Sequence, residues 1–216
     1  MKYKGVIFDL DGTLVNSLED IADSMNIILS KHGFPTHNLE AYKHFIGHGL
    51  KNLVRETLPE GSKDEALISS CFASMMEEYS NNCLNKTRPY DGIGELLNEL
   101  TAREIKLAVF SNKVDELTKK VVMTLLPNWN FELVIGSSAE MPRKPNPFGA
   151  LLISQQLEID PEDLIYIGDT NVDMQTANSA KMYAVGALWG FRSKEELSSN
   201  GAKYLLNHPL DLIQIL

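Results

Sequence analysis

Short, unbroken apolar runs separated by stretches of helical periodicity constrain this chain more than any other feature. Four stand out: Gly5-Val6-Ile7-Phe8, Lys106-Leu107-Ala108-Val109-Phe110, Leu133-Val134-Ile135-Gly136 and Leu164-Ile165-Tyr166-Ile167. A fifth, Tyr183-Ala184-Val185-Gly186-Ala187, follows. The runs do not alternate with polar residues, so both faces of each strand must be covered, as in a parallel sheet. Between them, Ile93 to Arg103, Asp115 to Leu126, Phe148 to Leu157 and Val172 to Ala180 read as helices. Strand alternating with helix predicts an α/β fold built on a Rossmann-like parallel sheet.

One region breaks the alternation. From about Ser17 to Arg88 the pattern is helical only. Ser17 can cap a helix carrying Ile21, Met25, Ile28 and Leu29, and Gly33-Phe34-Pro35 ends it. Further helices are expected near Leu39 to Phe45, Leu50 to Thr57 and Glu65 to Cys83. The way back, Lys86-Thr87-Arg88-Pro89-Tyr90-Asp91-Gly92, is rich in turn formers. The expectation is a core domain over 1–16 and 86–216, with an all-helical cap domain inserted at 17–85.

Composition narrows the function. With 216 residues, 44% hydrophobic and 23% charged, the chain can bury a real core. A formal net charge of -9 argues against nucleic acid and anionic membrane as partners. No apolar run is long enough to span a bilayer, and the one after the basic start Met1-Lys2-Tyr3-Lys4 stops at Asp9, too short for a signal peptide. Cys71 and Cys83 form no C-x-x-C pair and read as free thiols of a cytoplasmic protein.

The polar residues that follow the first four runs carry the chemistry. They are Asp9-Leu10-Asp11-Gly12-Thr13, Ser111-Asn112-Lys113, Arg143-Lys144-Pro145-Asn146-Pro147 and Gly168-Asp169-Thr170-Asn171-Val172-Asp173. In an open parallel sheet the carboxyl ends of the strands share one edge, where ligands bind, so four distant motifs converge. Asp9, Asp11, Asp169 and Asp173 repel one another there unless a cation sits among them. An oxygen-only set with few protein ligands suits magnesium, which keeps waters and takes substrate phosphate oxygens. Lys144 adds a positive charge and Ser111 a hydroxyl, a combination that suits a phosphoryl group. Asp9, at the strand end, can attack phosphorus. Asp11 can protonate the leaving alcohol and later deprotonate water. Gly12 permits a tight turn that turns loop N–H groups toward phosphate.

These motifs, in this order, resemble the four motifs of the haloacid dehalogenase superfamily, over Lys4 to about Leu188. The resemblance implies Asp9 as nucleophile, Asp11 as acid and base, and Leu10, Ser111, Asn112 and Lys144 as phosphate-binding residues. It implies Mg2+ held by the Asp9 carboxylate, the Asp11 backbone carbonyl and Asp169, with Asp173 acting from behind these ligands or through a water. Asp11 occupies a position that phosphatases and phosphomutases of the superfamily fill with aspartate and dehalogenases do not. Local strings, among them Phe45-Ile46-Gly47-His48-Gly49-Leu50 and Trp189-Gly190-Phe191-Arg192-Ser193, are similar to the phosphoglycolate phosphatase group. The expected activity is therefore hydrolysis of a small phosphorylated metabolite, 2-phosphoglycolate first, by a monomer or homodimer. A phosphomutase, a pyrophosphatase and a non-catalytic phosphate-binding protein are the alternatives.

Plainer readings stand beside these. Asp9-x-Asp11 with Gly12 does not fit a calcium loop, which needs glycine at the sixth position. Lys144 alone would be a solvated lysine, Asp173 a first-turn helix acid and Asn112 a helix cap. His44 and His48 lack a third zinc ligand, and Gly47 and Gly49 suit a closing loop. Trp129 and Trp189 read as packing residues.

Overall fold

The computed structural model describes residues 2–216; Met1, of the basic start, lies outside them. In chain order the elements are β1 (Gly5–Phe8), β2 (Val15–Asn16), α1 (Leu18–Lys31), α2 (Leu39–Phe45), α3 (Leu50–Thr57), α4 (Glu65–Asn82), β3 (Arg88–Pro89) and α5 (Ile93–Ala102). There follow β4 (Lys106–Val114), α6 (Asp115–Leu125), β5 (Leu133–Ser137), α7 (Phe148–Leu157), β6 (Leu164–Gly168), α8 (Asn171–Ser179), β7 (Tyr183–Ala187), α9 (Lys194–Ser199) and β8 (Tyr204–Leu206).

Six strands form one sheet in the order β5-β4-β1-β6-β7-β8, every neighbouring pair parallel. The unbroken apolar runs are explained by what lies on each face. Val6, Phe8, Leu107, Val109, Ile165 and Ile167 join one apolar cluster. Ile7, Ala108, Phe110, Leu164 and Tyr166 join the other, with residues of α7 and α8. Successive side chains of a strand point to opposite faces, so burial on both sides demands apolar residues at every position. β1 lies between β4, which continues outward to β5, and β6, which continues to β7 and β8. The strand order thus reverses at β1, and a crevice opens beyond its carboxyl end.

β2 and β3 make a separate antiparallel ribbon, Val15 opposite Pro89 and Asn16 opposite Arg88. The four helices α1 to α4 leave and return through it. Asp20 clips its base, accepting from the Lys86 and Thr87 N–H groups and the Thr87 hydroxyl at 2.7 to 3.0 Å. The apolar residues of these helices, Met25, Ile28, Leu53, Ile68 and Met75 among them, belong to the same continuous cluster as one face of the sheet.

β8 and α9 are additional to the sequence expectation: Tyr204–Leu206 is too short a run to announce a strand. Ser17 stands at the N-cap of α1 without a side-chain capping bond; its hydroxyl donates instead to Asp11 Oδ1 at 2.6 Å. Cys71 and Cys83 are free and buried. Among the described residues, no helix is long and apolar enough to cross a membrane.

Candidate active site

The carboxyl ends of β1, β4 and β6, with the β5–α7 loop, bring the motifs together. After Phe8 the chain turns sharply: the Leu10 carbonyl accepts from the N–H groups of Thr13, Leu14 and Val15. Gly12 sits at φ +89, and a Cβ there would stand 2.2 Å from Asp169 Oδ2, so only glycine fits. Among the described residues, the Leu10 and Asp11 N–H groups have no acceptor in the protein, and backbone donors left free in this way form a cradle for an anion.

Asp9, Asp169 and Asp173 are all buried, and each offers a carboxylate oxygen within 4.8 Å of the others. Asp169 is held by the Thr13 hydroxyl at 3.1 Å and the Phe191 N–H at 2.8 Å. Asp173 accepts from Lys144 Nζ at 2.6 Å with one oxygen and from the Thr170 N–H and hydroxyl with the other. It is therefore a helix-capping acid and at the same time the partner that aims Lys144. Lys144 Nζ also lies 2.8 Å from Asp9 Oδ1. That contact is an ion pair without the angle of a hydrogen bond, and among the described residues Asp9 Oδ1 has no hydrogen-bond partner.

Charge balance here is incomplete. Burial, then the Asp173 charge, pushes the Asp9 carboxyl up to about 7 despite the neighbouring Lys144. Burial and the charges of Asp9 and Asp173 hold Asp169 well above the usual carboxylate range. Lys144 stays protonated well above an ordinary lysine, because Asp173 and Asp9 outweigh its burial. One ammonium cannot balance three buried carboxylates, so without a second cation Asp9 and Asp169 hold on to protons. The all-oxygen donor set and the unpartnered Asp9 Oδ1 fit a small, hard divalent cation.

Ser111, Asn112 and Lys113 form the end of β4. Ser111 is buried and lines the cavity beside Asp9 and Asp11. Asn112, which the resemblance implies as a phosphate-binding residue, donates through its side-chain amide to Gly47 O at 2.8 Å and Lys144 O at 3.1 Å. Its carbonyl accepts from the Lys144 N–H at 2.8 Å. It fixes the Lys144 backbone and reaches across to the turn between α2 and α3.

Sequence reasoning missed Lys113. Its Nζ lies 2.8 Å from Asp11 Oδ1 and 2.6 Å from the Tyr79 hydroxyl on α4. Burial disfavours the ammonium, but Asp11 and Tyr79 outweigh it and hold the amine above the ordinary lysine value. The signal was in view in the Ser111-Asn112-Lys113 string, but nothing local says that α4 supplies its partner. Arg192 was missed too. Its guanidinium donates to the carbonyls of Lys43, His44 and Ile46, closing the carboxyl end of α2. Trp189, read as packing, also donates through Nε1 to the Thr13 carbonyl at 2.9 Å.

A parallel sheet whose reversal point carries a buried aspartate with an unpartnered oxygen, a second aspartate two residues on, a buried lysine and a carboxylate cluster suits a hydrolase of phosphoryl-transfer type. Comparison with known proteins agrees. Residues 6–187 match the haloacid dehalogenase-like hydrolase family model, and the chain belongs to that family. It is 30% identical over 211 residues to the phosphoglycolate phosphatase of Aquifex aeolicus, covering 98% of this chain and 95% of that protein. It is 28% identical to the phosphoglycolate phosphatase of Chromobacterium violaceum, covering 99% and 96%. A crystal structure from Lactobacillus delbrueckii subsp. bulgaricus, provisionally named a phosphoglycolate phosphatase, superimposes with TM-score 0.93 at 27% identity, covering 100% of this chain and 98% of that one. The chain is thus a phosphatase-type hydrolase similar to the phosphoglycolate phosphatases.

Proposed function

We propose that this enzyme is a magnesium-dependent, cytoplasmic phosphatase that hydrolyses a small phosphomonoester, 2-phosphoglycolate first, through an aspartyl-phosphate on Asp9. The observation that carries the reading is the Asp9 carboxylate, buried at the end of β1 with an unpartnered oxygen beside Lys144. Its relatives' names support the choice of ester, and its two buried free thiols suit a reducing compartment.

The chain's own residues account for the steps. An Asp9 oxygen attacks phosphorus while the bond to the leaving alcohol oxygen breaks. Asp11 gives its proton to that oxygen, then takes one from the water that attacks the phosphorus of the aspartyl-phosphate, freeing phosphate and Asp9. The Leu10 and Asp11 N–H groups, Ser111 and Lys144 stabilise the charge spread over the transferring oxygens. Asn112 and Asp173 hold Lys144 from its backbone and its ammonium. Mg2+ would be held by Asp9, the Asp11 carbonyl and Asp169, and it neutralises phosphoryl charge when bound. Helices α1 to α4, over the expected cap at 17–85, would exclude bulk water during transfer.

The test is phosphate release from 2-phosphoglycolate, hexose phosphates, nucleoside monophosphates and pyrophosphate, with magnesium and with chelator. Magnesium-dependent release strongest for one small ester supports the proposal. An isomeric sugar phosphate without free phosphate would make the enzyme a mutase.

A further inference from the structure

Between the sheet edge and α1 to α4 lies a small cavity whose far wall is apolar: Ile21, Ile46, Leu50, Leu53, Val114 and Leu117. Asp9 and Asp11 open onto it from one side, and Lys113 and Tyr79 face it together. If Asp9 attacks phosphorus, the leaving alcohol must occupy this space.

Lys113 is the one cation among the residues lining the cavity, and its side chain is only 4% exposed. Lys144 does not serve the alcohol, because Asp9 and Asp173 already share it at the phosphate end. The Lys113 ammonium is met by Asp11 on one side and the Tyr79 oxygen on the other, with the Tyr79 ring centroid 4.6 Å away. Tyr79 is buried, and its hydroxyl accepts from Lys113. Among the described residues, nothing accepts the hydroxyl's own hydrogen. A buried O–H with no acceptor, beside a buried ammonium, in an otherwise apolar chamber, is a pair of donors waiting for an anionic oxygen.

We propose that Lys113 and Tyr79 form a carboxylate-recognition site for the alcohol half of the substrate, so that the enzyme selects small phosphomonoesters whose leaving alcohol carries a carboxylate. The proposal rests on the phosphatase reading above and names its substrate class and specificity residues. The substrate carboxylate takes the Tyr79 hydrogen and a Lys113 N–H. It thereby replaces Asp11 as the ammonium's main partner, and Asp11 turns to the leaving oxygen. A neutral alcohol of the same size leaves the ammonium on Asp11 and the Tyr79 hydroxyl unsatisfied, which is how a site built for a polar group rejects the analogue lacking it.

The test compares kcat/KM for 2-phosphoglycolate and for 2-hydroxyethyl phosphate, which has the same carbon skeleton and a neutral alcohol, in one preparation. The ratio cancels the active fraction. The wild-type ratio is expected to be about 10 to 100, the range of a charge-assisted hydrogen bond. Lys113→Met should bring it close to one, and Tyr79→Phe should lower it by about 3- to 10-fold. Lys181→Gln, a change on an exposed lysine outside this wall, should leave it unaltered. A Lys113→Met variant that loses both activities by the same factor would overturn the proposal, since Lys113 would then act only through Asp11. So would a wild-type ratio of one or less. Should Lys113→Met fail to fold, Lys113→Gln and Tyr79→Phe read the same ratio, and an unchanged ratio in both refutes the site. Wild-type enzyme that releases phosphate from neither ester would instead refute the underlying phosphatase reading.

Discussion

At the scale of single residues, the site concentrates negative charge that the protein does not balance by itself. Asp9→Asn keeps the shape and removes the nucleophile; turnover of the best ester should fall by at least about 1,000-fold under saturating magnesium, measured by phosphate release. Asp11→Asn should cost about 100- to 10,000-fold, the usual share of general acid–base catalysis. The raised Asp9 carboxyl also dictates a pH dependence. Its ordinary value of 3.8 holds in the unfolded chain, and the folded chain holds the proton up to about 7. Between those values the native state binds the proton that the unfolded state has lost. The metal-free protein is therefore expected to lose stability as pH rises from about 4 to 7, with no further change from this group above that. A bound divalent cation favours the ionised carboxylate. The rise in Tm on adding magnesium should thus be larger at pH 8 than at pH 5, and an equal rise at both would show that Asp9 is not a ligand.

At the scale of elements, the molecule is held across its crevice by donors on the sheet side and acceptors on α2, its following turn and α4. Arg192 reaches the carbonyls that end α2, Asn112 reaches Gly47, and Lys113 reaches Tyr79. A cation at a helix carboxyl end complements both its free carbonyls and its dipole. Arg192→Ala should destabilise the protein by about 1.5 to 3 kcal/mol in denaturant unfolding. It should also speed amide exchange over residues 43–49, while Arg192→Lys recovers part of the loss. The elements were legible where periodicity ran long. The five apolar runs gave five strands, and the block from 17 to 88 gave four helices, because burial on both faces and amphipathic packing each leave a repeating pattern. β8 was not legible: an edge strand of three residues leaves too short a pattern to stand apart from a loop. Neither was the role of Asn112, because a side chain that bonds two distant carbonyls leaves no local mark. Its neighbour Lys113 was hidden for the same reason, since Tyr79, 34 residues earlier in the chain, decides what it does.

At the scale of the whole molecule, the order of the strands decides where the chemistry sits. Because the strand order reverses at β1, residues from 9 to 173 gather at one edge, and the four motifs could be assigned to one place before any distance was known. Their mutual contacts could not be assigned in that way: sequence order says that Asp173 and Lys144 meet at the same edge, not that one oxygen of Asp173 takes the ammonium and the other caps α8. Lys144→Met tests the global weight of that arrangement. Removing the only ammonium from three buried carboxylates should cost about 3 to 5 kcal/mol in metal-free protein, and less with magnesium present. A loss independent of magnesium would mean that the carboxylates do not share a cation.

The β2–β3 ribbon has a consequence for inheritance. Both ends of the helical stretch pass through one narrow doorway, Val15-Asn16 against Arg88-Pro89, latched by Asp20. The groups assigned to phosphoryl transfer all lie outside the doorway, and Tyr79, assigned to reading the alcohol, lies inside it. A lineage could exchange everything behind the doorway, as one changes the head of a tool, and acquire a new substrate with its handle intact. Lys113, which reads the alcohol from the handle side, would have to change with each new head.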